Sequence, residues 1–306
     1  MTSAPQTVRI CYLYPRLLSV AGDRGNLLAL TQRCTWRGIR YSVTEADVGE
    51  VPDFTQSDLI LMHGGQDREM TAAARDLAAK AGPLREAIES DAVVLAVCAG
   101  YQLLGRYYAP PEGEPIPGLS VLDVATEGGP TRFIGHVAAL CDLGSGEQHE
   151  LTGFENHSGR TYLGRGTRPL GRVLAGAGNN GEDGTEGARY REVYATYLHG
   201  PVLPKNPWLA DHLLSRALAH RYQDADPLAP LTDHAEARAS AAALRLARRP
   251  AGGRWRPAAA AAEAMSRFLR PAQTRAEAPA AVGANAGAGQ AATAATADKE
   301  TPWTSH

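Results

Sequence analysis

The chain has 306 residues, 44% hydrophobic and 21% charged, with 31 Lys and Arg against 33 Asp and Glu, enough for one large domain or two small ones with a sizeable core. A net charge of -2 gives no basic footprint of the kind nucleic-acid or anionic-membrane binders carry. Four cysteines in a chain of this length exclude a disulfide scaffold and point to a reducing, cytoplasmic setting.

In chain order, an apolar run at residues 8–14 reads as a strand, followed by a polar loop with Gly22, Asp23 and Gly25 and a helical pattern over 26–37. A short strand is expected at 41–43 and a buried one at 58–62, then a helix over 71–89 broken at Gly82 and Pro83. Residues 92–97 (AVVLAV) form a continuous apolar run that leads into Cys98 and a helix over about 100–107. Alternating strands and helices imply a parallel sheet covered on both faces. Beyond Pro110, Pro/Gly-rich turns separate short β-type runs at 121–124, 133–140, 151–155, 172–175 and 193–198, which read as antiparallel additions, and helices are expected at 207–220 and 232–247. The folded domain is expected to span 1–248. Residues 249–306 read as a disordered tail, since 13 of the 30 residues from Pro271 to Glu300 are Ala and few large apolar groups accompany them. No apolar run approaches the roughly 20 residues needed to span a bilayer, and the first six residues lack the parts of a secretory leader.

Cys98 stands out among the cysteines because a buried strand ends at it and a helix begins within two residues. Such a nucleophile elbow holds the thiol exposed at a helix N-terminus, with small neighbours (Ala96, Gly100) allowing close packing, and directs the Ala99 amide at a developing oxyanion. Cys11, Cys34 and Cys141 read as structural. A thiolate needs a base: His199 follows the apolar run 193–198, at the carboxyl edge where open α/β sheets place their sites, while His63 and His157 could border the same crevice. The Gly64-Gly65 turn after the strand at 58–62 lets backbone approach a ligand, and an amide there could complete the oxyanion hole.

Together, HGGQDRE (63–69), VCAGYQLLG (97–105), TRFIGH (131–136), GFENHSGRT (153–161), GNNGEDGTEG (178–187) and YLHGPVLPKNP (197–207) resemble the class I, triad-type glutamine amidotransferases of the cobyric-acid-synthase-like branch, and within it the glutaminase subunits of lipid II isoglutaminyl synthases. The resemblance covers residues 8–248. It implies an α/β, flavodoxin-like fold with antiparallel additions, Cys98 as nucleophile, His199 as general base and acid, and the Gly65 and Ala99 amides as oxyanion hole. It also implies Gln102 and Arg132 as residues that bind L-glutamine, the Arg132 guanidinium gripping the α-carboxylate. Ammonia would pass to a Mur-ligase-like partner that holds ATP and magnesium and amidates lipid II, so contact with the inner membrane face would come through that partner; no cofactor or metal is expected on this chain. Where the family usually has Glu two residues after the histidine, this chain has Pro201, so either a Cys/His dyad operates or another acid orients His199, with Glu155, Asp67 and Glu69 as candidates.

Other readings stay open: an amidotransferase subunit for a corrinoid acceptor, a cysteine hydrolase acting on other carbonyl compounds, or a non-catalytic protein on the same fold. The chain has no Gly-x-x-x-x-Gly-Lys-[Ser/Thr] run and hence no recognisable ATP site of its own. Residues 176–181 match G-x-G-x-x-G but are followed by an acidic turn and a strand instead of a helix, against dinucleotide binding.

Overall fold

Short, wholly apolar strand segments bury both faces most completely as parallel strands with helices above and below. The computed structural model, which describes residues 6–144 and 146–249, takes this form. In chain order its elements are β1 (Thr7–Leu13), α1 (Arg24–Trp36), β2 (Arg40–Ala46), β3 (Leu59–Met62), α2 (Asp67–Glu89), β4 (Val93–Val97), α3 (Ala99–Leu104), β5 (Tyr107–Ala109), β6 (Ile116–Pro117), β7 (Val124–Asp142), β8 (Gln148–Leu163), β9 (Gly171–Ala175), β10 (Thr185–Glu186), β11 (Ala188–Tyr190), β12 (Val193–Thr196), β13 (Leu198–His199), α4 (Pro207–Arg221) and α5 (His234–Ala247). The expected tail lies outside the described residues from 250 onward.

The first sheet runs β11-β12-β4-β3-β1-β2. All its pairings are parallel except that of β11 with β12, so five strands bring their carboxyl ends to one edge in the flavodoxin-like order. Every residue of β3, β4 and β12 is buried, as expected of strands covered on both faces. β2 lies at the edge and is largely exposed, which explains why only 41–43 read as strand.

The second sheet is built around β7 and β8, paired antiparallel along most of their length. The short runs at 133–140 and 151–155 are the apolar portions of these longer strands, whose polar remainder carries no hydrophobic signal. Two other expectations are corrected. α2 passes unbroken through Gly82 and Pro83 because Leu77, Leu84, Ala87 and Ile88 bury one continuous face on both sides of the proline, outweighing the one backbone bond the ring removes. The run 193–198 is two strands: β12 belongs to the parallel sheet, whereas β13 pairs with β8 in the second sheet.

Buried charge ties the helices into one frame. Arg33 on α1, 3% exposed, bonds Asp211 of α4 at 2.6 Å and Asp233 ahead of α5 at 2.7 Å, and Arg37 reaches the same Asp211 at 2.6 Å. Position and angle of α1, and with them the residue that precedes it, are thereby set.

Candidate active site

The turn from β4 into α3 is strained. Cys98 sits at φ 51, ψ -103, a region a non-glycine residue occupies only when its surroundings impose it. They do: the Cys98 N–H donates to the Thr196 carbonyl at 2.9 Å, and the Gly100 N–H to the His63 carbonyl at 3.1 Å. A Cβ on Gly100 would fall 2.4 Å from the Met62 carbonyl oxygen, so the elbow closes only because that position is glycine. The three other cysteines are buried and free, and burial pushes the Cys11 thiol to about 12, Cys34 to about 11 and Cys141 to about 12, which keeps them as unreactive thiols.

His199 reaches Cys98 through the break between β12 and β13. The Thr196 hydroxyl and the Tyr197 N–H both donate to Oε1 of Glu186, at 2.5 and 3.1 Å, and the Leu198 N–H donates to the Thr196 hydroxyl at 3.0 Å. These bonds replace the ladder partners that β12 would otherwise have used and send the chain across to β8, where His199 lies opposite Phe154. The imidazole is almost fully buried, hydrogen-bonded to the Cys98 thiol and, through Nδ1–H, to Asp23 Oδ2 at 2.9 Å. Burial disfavours its cation, but the Cys98 and Asp23 charges and their hydrogen bonds outweigh that and push its pKa up to about 10. The Asp23 carboxyl stays below its usual range, because the His199 charge and bond, His63 and the Gly64 N–H together overcome its burial. Cys98, His199 and Asp23 thus form a thiol–imidazole–carboxylate line.

Asp23 is the residue that sequence reasoning missed. It occupies the N-cap position of α1 but makes no side-chain bond to that helix; its carboxylate turns to His199 and accepts from the Gly64 N–H at 3.3 Å. The available signal was an aspartate just ahead of a helix in the polar Gly22-Asp23-Arg24-Gly25 loop, at the carboxyl end of β1. Pro201, standing where the family usually has its acid, has a different task. A Cβ on Gly25 would meet the Pro201 ring at 2.4 Å, so Pro201 packs directly on the first turn of α1, and the Leu203 N–H donates to Asn26 Oδ1 at 2.9 Å. The loop after His199 is therefore locked to the helix that presents Asp23. Gly64 completes the fit, since a Cβ there would lie 2.5 Å from His199 Cε1.

The three acids expected for this role stand elsewhere. Glu155 faces Leu198, not His199, across the β8–β13 pair, and its carboxylate accepts the Ala177 and Gly178 N–H groups at 3.0 Å each. It closes the glycine turn after β9, where the G-x-G-x-x-G run lies with no helix following. Asp67 and Glu69 open α2 and complement its dipole. Of the other histidines considered, both are buried: His63 is bonded to Tyr12 and Asn26, its pKa pushed down to about 4 chiefly by burial, and His157 stacks on Tyr197 with ring centroids 3.7 Å apart.

The other expected positions lie as follows in the fold: Gly65 follows β3, Ala99 opens α3, Gln102 lies within α3 and Arg132 within β7. The Gly65 and Ala99 amides have no hydrogen-bond partner among the described residues, and a Cβ on Gly65 would sit 3.8 Å from that of Ala99, the residue after Cys98. Gln102 is buried and donates to the Tyr197 hydroxyl at 3.2 Å. Arg132 is exposed in a bulge of β7. Burial raises the Tyr108 hydroxyl pKa, and a bond with Ser158 opposes this. Among the described residues no group of three His, Cys, Asp or Glu side chains is placed to hold a metal, and no helix is long and apolar enough to cross a membrane.

Residues 9–207 match the model of the CobB/CobQ-like glutamine amidotransferase domain. The chain belongs to that family. It is 42% identical over 200 residues to the lipid II isoglutaminyl synthase (glutamine-hydrolyzing) subunit GatD of Staphylococcus aureus, covering 65% of this chain and 80% of that protein. The corresponding subunit of Streptococcus pneumoniae is 38% identical over 221 residues, 71% of this chain and 83% of the relative. Cobyric acid synthase of Pelotomaculum thermopropionicum is 36% identical over 146 residues, but these are only 27% of its length. This chain is thus a glutamine-hydrolysing amidotransferase of the CobB/CobQ-like type, and its elbow, histidine and free amides lie within the matched span.

Proposed function

We propose that this protein is the glutaminase subunit of a lipid II isoglutaminyl synthase, with Cys98, His199 and Asp23 as its catalytic line. The observation that carries the catalytic reading is the burial of His199 between the Cys98 thiol and the Asp23 carboxylate beside two unpaired amides. The acceptor is inferred from the two relatives matched over at least four fifths of their length.

In this reading the Cys98 thiolate attacks the side-chain amide carbon of L-glutamine, and the oxyanion rests on the Gly65 and Ala99 N–H groups. The His199 imidazolium gives its proton to the leaving nitrogen, releasing ammonia and leaving a thioester. Neutral His199 then takes a proton from water as it attacks the thioester, and a second tetrahedral species collapses to glutamate and the Cys98 thiolate. Asp23 holds the ring with Nδ1 protonated, so that Nε2 faces the thiol and stays available for both transfers. Gln102 and Arg132 orient the substrate, Arg132 through its α-carboxylate. The ammonia is consumed on a Mur-ligase-like partner that binds ATP and magnesium and activates the α-carboxyl of D-glutamate in the lipid II stem peptide, giving D-isoglutamine.

Co-expression with that partner tests the assignment. Cys98→Ser should abolish glutamine-dependent amidation of lipid II yet leave amidation driven by added ammonia intact, and a diazoketone analogue of glutamine should alkylate Cys98 in the wild type. Absence of both glutamine turnover and labelling in the complex would remove the assignment.

A further inference from the structure

β7 and β8 pair in register up to Gly128 opposite Gly159, and pairing resumes at Phe133 opposite His157. Four residues, Gly129 to Arg132, therefore stand against Ser158 alone. A bulge of this size loses its ladder bonds and has no conformation of its own unless something else supplies partners. Here Arg160 supplies them. One of its terminal nitrogens, Nη2, donates to the carbonyl and hydroxyl of Thr131 at 2.8 and 3.2 Å. The other, Nη1, donates to the Ser158 and Gly159 carbonyls at 3.0 and 3.3 Å. The guanidinium carbon lies 3.4 Å from the centroid of the Phe133 ring, and a Cβ on Gly129 would come within 2.7 Å of it. The group is thus held from both sides of the bulge and from the opposite strand.

Arg132, between Thr131 and Phe133, is exposed and has no hydrogen-bond or ion-pair partner among the described residues. The strand segment that Arg160 grips is itself seated on the site. A Cβ on Gly159 would lie 2.6 Å from Gln102 Nε2 and 3.0 Å from the Tyr197 hydroxyl.

We infer that Arg160 is a positioning residue that clamps the β7 bulge to the strand above Gln102 and so holds Arg132 where it meets the α-carboxylate of glutamine. The inference rests on the glutaminase reading and deepens it. Arg160 hydrogen-bonds only neutral acceptors, and both of its terminal nitrogens are already engaged. A lysine cannot reproduce this grip, because one ammonium cannot span two strands in a plane.

The test is steady-state ammonia release by the full chain with its partner, comparing wild type, Arg160→Ala, Arg160→Lys, Arg132→Ala and the double alanine variant. Arg160→Ala should raise KM for glutamine about tenfold and leave kcat within about twofold, the signature of lost ground-state binding. Arg160→Lys should fall between wild type and Arg160→Ala, and the double variant should be no worse than Arg132→Ala, because Arg160 acts through Arg132. Alkylation of Cys98 by iodoacetamide, which has no α-carboxylate, should proceed at the wild-type rate in every variant that folds, and Arg160→Lys carries the test if the alanine variant does not. An unchanged KM, a kcat loss without a KM change, or a penalty that adds in full to that of Arg132→Ala overturns the inference. A wild type that neither labels with the glutamine analogue nor releases ammonia removes the glutaminase reading, and the inference with it.

Discussion

Replacing Asp23 by Asn tests the central claim about the site while changing its shape very little. The carboxylate meets His199 Nδ1 at 2.9 Å, and the two side chains are 0% and 3% exposed, so solvent screens their attraction weakly. Unit charges about 4 Å apart attract by about 4 kcal/mol at an effective dielectric of ~20, and desolvation of both groups offsets part of this. The amide keeps an oxygen to accept from Nδ1–H but loses the charge; if the amide turns its NH2 to the ring instead, it favours the opposite tautomer and leaves Nε2 unable to take the thiol proton. Either way the thiolate–imidazolium pair weakens, and kcat/KM for glutamine should fall on the order of 10²- to 10⁴-fold. The assay is glutamate formation by the complex, paired with an NMR titration of the His199 ring against pH, in which the imidazolium should deprotonate at lower pH than in the wild type, where it is held up to about 10. A variant within about threefold of wild-type kcat/KM, with an unmoved His199 titration, would show that Asp23 does not orient His199 and that Cys98 and His199 act as a dyad.

His199→Ala should reduce ammonia release to the background of Cys98→Ser while circular dichroism stays native, since both residues act within one unit whose losses do not add. Gly64→Ala should push against the imidazole that its Cβ would approach within 2.5 Å, costing about 1–3 kcal/mol of stability and most of the activity; thermal unfolding with activity measured on the folded fraction checks both. Burial raises the Glu186 carboxyl from 4.5 to about 7, against the bonds it receives from Thr196 and Tyr197. Because its folded value lies above its unfolded one, its contribution is present below about pH 4.5 and is lost as pH rises through about 7, a swing of about 3 kcal/mol. Glu186→Gln should flatten the melting temperature across that window, and an unchanged pH profile would refute the assignment. Arg33→Ala leaves Asp233 without its partner and should cost about 3 kcal/mol, read as a lower denaturation midpoint at unchanged slope.

Local signals were enough for the elbow. A run of buried aliphatics that stops at Cys98 and gives way to Ala99-Gly100 can hardly be anything but an elbow, and the structure adds the positive φ and the Gly100 approach that make it one. The histidine was legible as a position but not as a path. An apolar run of six residues gives no sign that Thr196 leaves one sheet and Leu198 joins another, because what breaks the strand is Glu186, a side chain ten positions away that bonds Thr196 and Tyr197. The acid was not legible at all from the residues around His199: Glu155, Asp67 and Glu69 are near in the motifs, whereas Asp23 lies 176 positions before the histidine and meets it only when β1 and β12 bring their carboxyl ends to one edge.

By itself, then, the sequence determined the class of fold, through the alternation of apolar runs and helical patterns, and the identity of the thiol, through the strand-to-helix junction at Cys98. Both are properties of contiguous residues, carried by burial periodicity and backbone sterics. Tertiary structure alone decided which carboxylate serves His199, why Pro201 stands where an acid was expected, and what holds the bulge that presents Arg132. Each of these depends on side chains whose separation along the chain bears no relation to their separation in space, and on carboxylates and guanidinium groups that take whichever partners burial leaves them.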